Sequence, residues 1–377
     1  MTPLDAFIPS APDWRIDWDG LERVFPWVAD LRACPQDSRW HGEGDVWTHT
    51  RMVGDALAGL EEWRGLDAAG RKQVFLAALL HDIGKPACTR TEDDGRITSR
   101  GHSRRGESMA RLWLWRNGMG PHEREPIVAL IRDHQLPFYL LERDNARDEV
   151  IRLSQGLRCD RLGLLAEADA RGRIAEDGQR LVDNCQLFRE FCGEIGCLDG
   201  PWPFANDHSR FEWFRKTGRD PAYAAHDDAR MEVVLMSGLP AAGKDSWITA
   251  NLPDWPVISL DAIRAELGAD HSGGQGKVIA AARERAREHL RAERNFVWNA
   301  TNVSRRIRGG LIDLFADYGA RVRIVYLEVS PDEQQRRNKA RRDPVPGSAI
   351  ARMLNNWEPP KINEAHGVDW IQFGIEK

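Results

Sequence analysis

The run EVVLMSGLPAAGKDSWITANL, residues 232–252, constrains this chain more than any other stretch. An apolar segment of strand length leads into Gly238-x-x-x-x-Gly243-Lys244 and then directly into a helical sequence. Small residues let backbone N–H groups converge on phosphate oxygens. The helix N-terminus adds a positive field, and Lys244 a full charge near the β- and γ-phosphates. We therefore take the loop from Gly238 through Lys244, Asp245, Ser246 and Trp247 as phosphate-binding. The sequence around it keeps the same rhythm. PVISLD, NFVWNAT and ARVRIVYLEV are strand-length apolar runs, separated by helical stretches such as GKVIAAARERAREHLRAE and SRRIRGGLIDLFADYG. Strands alternating with helices imply a parallel sheet with crossover helices.

The first half has a different period. Ile127, Leu130, Ile131 and His134 fall at i, i+3, i+4, i+7, as do Leu162, Leu165, Ala166 and Asp169, which is the spacing of helices with one apolar face. VFLAALLHDIGKP reads as an apolar helix that stops at the Gly84–Pro86 breaker. Pro, Gly and Asp then gather in LDGPWPFAND and KTGRDPAYAAHDDAR. The expected organisation is an all-α domain over residues 1–200, a linker over 201–230 and an α/β P-loop domain over 231–377. A length of 377 residues allows two cores.

Composition narrows the function. A net charge of −5 argues against a general coat for duplex nucleic acid, leaving only local basic sites such as RRNKARR, Arg336–Arg342. Six cysteines with no CxxC pair point to reduced thiols used in packing, including Cys185, Cys192 and Cys197. No apolar run reaches membrane-spanning length and the start has no secretory pattern, so the expected setting is cytoplasmic, with no membrane partner.

Within the α/β half, the hydroxyl that usually follows the loop lysine is displaced by one. Asp245 comes first and Ser246 second, and both oxygens suit Mg²⁺. Asp261 follows a strand, where open α/β sheets bind ligands, although an Asp there also serves as a helix N-cap. Asp261 with Arg264 one turn later supplies a base for a hydroxyl and a clamp for a phosphate. Asn299, Thr301 and Asn302 end a later strand, placed either to bond a nucleotide or to turn the chain.

The order GxxxxGK, Asp-x-x-Arg, ATN, RNKARRDPVP resembles the 5′-hydroxyl polynucleotide kinase family over about residues 231–357. The resemblance implies that Asp261 is the general base, that Arg264 and Asn302 bind the acceptor, and that Arg337 and Arg341 are lid arginines reaching the donor phosphates. ATP or another NTP with Mg²⁺ would be the donor.

In the helical half, His49, the doublet His81-Asp82, His134 and Asp169 resemble the HD phosphohydrolase superfamily. GHSRRG adds His102 in the Gly-His-x-x-x-Gly setting of some members. Six such ligands suit one or two transition metals, Mn, Fe, Co, Ni or Zn, in preference to Mg. Lys85 is placed either to neutralise a phosphate oxygen or as a solvated helix-end charge. The two halves together resemble bacterial HD-Pnk end-healing enzymes. That resemblance implies removal of 2′,3′-cyclic phosphate, or of 2′- or 3′-phosphate, from RNA or DNA ends, phosphorylation of 5′-OH ends, and a ligase acting afterwards. The alternatives are a small-molecule nucleoside or metabolite kinase fused to an HD nucleotidase, and a nucleotide sensor without turnover.

Overall fold

The computed structural model describes residues 2–269 and 274–373. By internal contacts the chain divides into two units, residues 1–202 and 203–377.

The first unit is helical. Its main helices are α1 (Val46–Gly59), α2 (Ala68–Leu80), α3 (His102–Arg116), α4 (Pro121–Asp133), α5 (Cys159–Arg171) and α6 (Gly178–Ile195). Asp45 and Asp67 cap α1 and α2, accepting from the backbone N–H of Thr48 at 2.9 Å and of Gly70 at 2.6 Å. From Val74 to Leu80 every residue of α2 is at most 1% exposed. A helix apolar all round belongs at the centre of its bundle, and α2 packs against α1, α4 and α5. The faces read from periodicity on α4 and α5 are fully buried, His134 and Asp169 included. The six cysteines are free, and five of them are buried.

One boundary differs from expectation. Helix α2 ends at Leu80, and His81–Gly84 form a turn. Pro86 stops nothing; it sits in the first turn of a short helix, Lys85–Cys88, where its missing N–H would have had no partner anyway. Gly84 makes the turn possible. A Cβ there would lie 2.3 Å from the His102 carbonyl oxygen and 2.6 Å from the Gly106 nitrogen. The turn thus presses directly on the first turn of α3.

The second unit carries a five-stranded parallel sheet. Its strands are β1 (Met231–Ser237), β2 (Val257–Ser259), β3 (Phe296–Asn299), β4 (Ala320–Val329) and β5 (Gly367–Phe373), in the order β2-β3-β1-β4-β5. Alternate residues serve opposite faces. Val233, Leu235, Phe296, Trp298, Val322 and Ile324 join one core with Val278, Ala282, Ala286 and Leu290 of α10 (Gln275–Arg291) and Leu311, Ile312 and Phe315 of α11 (Arg305–Asp317). Val234, Met236, Val297, Val325 and Leu327 face the other way, onto Ile248 of α8 (Lys244–Asn251). Both faces are covered, as a parallel sheet requires.

Residues 203–230, read from sequence as linker, group with this second unit. They contain α7 (Asp207–Arg215), whose Phe211 is 2% exposed in the sheet core and stacks on His366 with ring centroids 3.9 Å apart. The Pro and Gly residues there mark the turns around a packed helix.

Candidate active sites in the two units

Five different parts of the first fold bring six side chains together. His49 comes from α1, His81 and Asp82 from the turn after α2, His102 from the start of α3, His134 from the end of α4 and Asp169 from α5. All six are buried. The Nδ1 atoms of His81, His102 and His134 lie 2.7, 2.9 and 2.8 Å from the carbonyls of Ala78, Ser99 and Ile131. A carbonyl only accepts, so each Nδ1 carries the proton and each Nε2 of a neutral ring presents its lone pair inward. Those Nε2 atoms lie 3.1, 3.3 and 3.9 Å from Asp82 carboxylate oxygens, and His49 Nε2 lies 3.0 Å from Asp169 and 3.8 Å from Asp82.

Charge at this centre is tightly balanced. Burial pushes the Asp82 carboxyl up, but His81, Lys85 and His102 outweigh burial and hold it well below the usual carboxylate range. Asp169 follows the same logic, with burial overcome by Arg173, whose guanidinium grips both of its oxygens at 2.8–2.9 Å, and by His49. Burial, then the nearby His81, lowers His134 to about 3, so that ring is neutral at ordinary pH.

His81 Nε2, His134 Nε2 and Asp82 Oδ1 are buried with no hydrogen-bond partner. Buried polar atoms without partners are costly, and here they point into one another's neighbourhood. Three overlapping triads, His49–His81–Asp82, His81–His134–Asp169 and Asp82–His102–His134, each bring their ligand atoms within 4.8 Å. Imidazole and carboxylate together fit a divalent transition metal. The residues present therefore suit the metal that the fold implies, with Asp82 shared between two of the triads.

The structure revises the place of one residue of this centre and adds others that sequence reasoning missed. Lys85, read as a phosphate ligand or a solvated charge, is buried; its Nζ lies 2.8 Å from Asp82 and donates to Gln36 Oε1 at 2.6 Å. Glu43 bridges His49 and His41 through Oε1, at 2.9 and 2.8 Å from their Nδ1 atoms. Arg173 follows Asp169 by four residues, just past the end of α5, a spacing legible in the sequence. Gln36, His41 and Glu43 lie on a loop with no periodic signal. A cavity of about 410 Å³ opens over this centre, its wall including Lys85, His102, Arg173, Trp40 and Tyr139.

The second unit holds the phosphate loop at the C-terminal end of β1. Gly238 has φ +140°, and a Cβ there would stand 2.4 Å from the Leu327 carbonyl oxygen, so only glycine fits. Its N–H donates to Thr301 at 2.9 Å. Lys244 Nζ donates to the carbonyls of Gly238 and Leu239, both at 3.0 Å. Burial of this ammonium, with Arg341 adding to it and Asp245 and Asp261 opposing, lowers Lys244 to about 8.

Several expectations about this loop need correction. Trp247 does not offer its N–H to phosphate, because it donates to the Gly243 carbonyl at 3.0 Å as a turn of α8, and its side chain packs on the core under the sheet. The N–H groups of Lys244, Asp245 and Ser246 precede that bond and keep the phosphate-facing position. Asn302, expected at the acceptor, is 4% exposed. Its amide donates to the Met236 carbonyl at 2.7 Å, and its own carbonyl accepts from Ser237 Oγ at 3.1 Å and from buried Arg308 at 3.0 Å. Asn302 braces the loop from inside. Asn299 is the residue of that segment turned to the site, donating to Asp245 Oδ1 at 2.6 Å.

Asp261 lies in α9 (Leu260–Glu266), and the N-cap duty falls to Ser259. Asp261 is 75% exposed and pairs with Arg264, whose other nitrogen reaches Gln275 Oε1 at 3.2 Å. The basic run leaves the sheet on α12 (Pro331–Lys339), where Arg336 and Arg337 both pair with Glu333. Gln334 ties α12 to the phosphate loop, donating to the Pro240 carbonyl at 3.2 Å, and Asn338 brackets the segment bearing Arg341 through two bonds to Val345, at 2.9 and 3.1 Å.

Each unit resembles known proteins over part of its length. Residues 46–172 match the HD domain family model, and residues 233–360 match an AAA domain model. The chain is an HD domain joined to a kinase-like P-loop domain. It is also similar to the "Multifunctional CCA protein" of Ralstonia nicotianae, 30% identical over 184 residues, which are 46% of this chain and 39% of that protein. The protein of the same name from Nitrosococcus oceani is 31% identical over 161 residues, 41% of this chain and 36% of its own length. The chain thus spans well under half the length of the curated relatives it matches.

Proposed function

We propose that this chain heals broken nucleic-acid ends with two activities: a phosphoesterase in the HD domain, acting on 2′,3′-cyclic phosphate or on 2′- or 3′-phosphate, and an NTP-dependent 5′-OH kinase in the P-loop domain. The observation that carries the reading is Asp261, a carboxylate 75% exposed, two residues past the C-terminal end of β2 in the same parallel sheet whose β1 leads into the phosphate loop. A base open to solvent beside a phosphate loop suits an acceptor that continues outward as a chain. A small-metabolite kinase needs its acceptor enclosed.

In the kinase, Asp261 accepts the proton of the 5′-hydroxyl as that oxygen attacks the γ-phosphorus. Lys244 and Arg341 neutralise the charge on the transferring group, and the N–H groups of Lys244, Asp245 and Ser246 hold the donor phosphates. Arg264 binds the acceptor's next phosphate by releasing Asp261 or sharing it. Asp245 and Ser246 supply oxygens for the Mg²⁺ of the nucleotide.

In the phosphoesterase, His49, His81, Asp82, His102, His134 and Asp169 hold one or two transition metals. Bound metal would supply a polarised phosphoester and a water acidified toward neutral pH. The surrounding residues hold that donor set in place: the carbonyl bonds fix each imidazole tautomer, Arg173 orients Asp169, and Lys85 orients Asp82 from the cavity side.

The test is incubation with labelled 5′-OH and 2′,3′-cyclic-phosphate oligonucleotides, with Mn²⁺ and ATP added or withheld. Lys244→Ala should abolish only 5′-phosphorylation and Asp82→Ala only opening of the cyclic phosphate. Transfer to mononucleosides at equal or higher kcat/KM than to oligonucleotide ends would overturn the kinase assignment.

A further inference from the structure

Of the chain's 15 tryptophans, Trp40 alone is exposed. It is 53% exposed, and with Tyr139, 44% exposed, it stands on the wall of the cavity over the His/Asp centre. A protein that buries or half-buries its other fourteen indoles keeps this one in water at a cost.

The backbone beneath both rings is tied down by neighbouring residues. The N–H groups of Trp40 and His41 donate to the Asp37 carbonyl at 3.0 and 2.9 Å, Arg39 clasps the Asp37 carboxylate, and Gly42 N–H reaches the Ile174 carbonyl at 2.8 Å. Tyr139 lies between Phe138 and Leu140, 1% and 0% exposed, and Asn184 holds the Phe138 carbonyl at 2.7 Å. With the backbone fixed, only the two side-chain torsions of each ring remain to be ordered when something stacks on it.

We propose that Trp40 and Tyr139 form a nucleobase subsite, holding the base of the nucleotide whose phosphate lies over the His/Asp centre. This deepens, and rests on, the phosphoesterase reading. The cavity divides as a nucleotide does. Its inner wall is polar and cationic, with Lys85, His102 and Arg173, and its solvent-exposed wall carries two large π-faces. Stacking on aromatic side chains tolerates every base, since every base has a π-face. The subsite therefore selects base-bearing ends without selecting sequence.

Calorimetric titration of the whole chain with a nucleoside 3′-monophosphate and with ribose 3-phosphate tests the subsite. The native protein should bind the nucleotide about five- to hundred-fold more tightly. Trp40→Ala and Tyr139→Ala should each lose most of that preference, and Trp40→Phe should keep most of it. No preference in the native protein, or a preference undiminished in both alanine variants, would overturn the subsite. Turnover of a nucleoside 2′,3′-cyclic phosphate, measured in parallel, separates the two ideas. A Trp40-dependent binding preference without hydrolysis supports the subsite and overturns the assigned reaction.

Discussion

At the scale of single residues, Asp82 and Asp245 show what one carboxylate does in each site. Asp82 lies within 3.9 Å of four imidazoles and 2.8 Å from Lys85. Asp82→Ala therefore leaves buried Lys85 without its carboxylate partner. It should reduce bound metal to background by elemental analysis and cost about 3–5 kcal/mol in urea unfolding. Asp245, held by Asn299, lies beside the loop that grips phosphate. Asp245→Ser should weaken the dependence of kinase rate on Mg²⁺ concentration, and an unchanged metal titration with tighter ATP binding would count against a metal role. Lys244 gives a pH prediction. Its pKa is lowered to about 8, so the ammonium is charged below that pH and loses its proton as pH rises through it. Kinase kcat/KM for NTP should fall above about pH 8, and Lys244→Arg should flatten that limb.

At the scale of elements, the sequence was most legible where function sits at the end of a periodic face. His134 and Asp169 were found because each completes an i, i+3, i+4, i+7 run, and all eight residues of those two runs are fully buried. The phosphate loop was legible because strand, glycines and helix must follow one another there. What stayed hidden was fixed by tertiary path. Gln36, His41 and Glu43 reach the metal-type centre from an aperiodic loop, and Asn302 turns inward because Met236 and Arg308 meet it there. Strand β5 was missed because GVDWIQF mixes polar and apolar residues, as an edge strand with a single partner can. Two further outcomes belong at this scale. Gly84→Ala should cost about 1–3 kcal/mol, because the turn bearing His81 and Asp82 must back away from α3. Asn338→Ala frees the segment carrying Arg341 while leaving the sheet intact, so it should lower kcat several-fold with little change in thermal midpoint.

At the scale of the whole molecule, the division at residues 202 and 203 matters for separating the two proposed activities. Residues 203–377 expressed alone should fold cooperatively. Removing residues 203–230 as well uncovers the core surface that Phe211 fills, and that shorter piece should aggregate or melt several degrees lower by calorimetry. No described helix is long and apolar enough to cross a membrane. Trp40 has one more consequence, and it is optical. Since the other fourteen indoles are at least partly shielded, a collisional quencher such as acrylamide should reach this ring first, giving a small, red-shifted, readily quenched component of the emission. Anything that fills the cavity should cover that component, so one native side chain can report occupancy of the HD site with the P-loop half left unaltered.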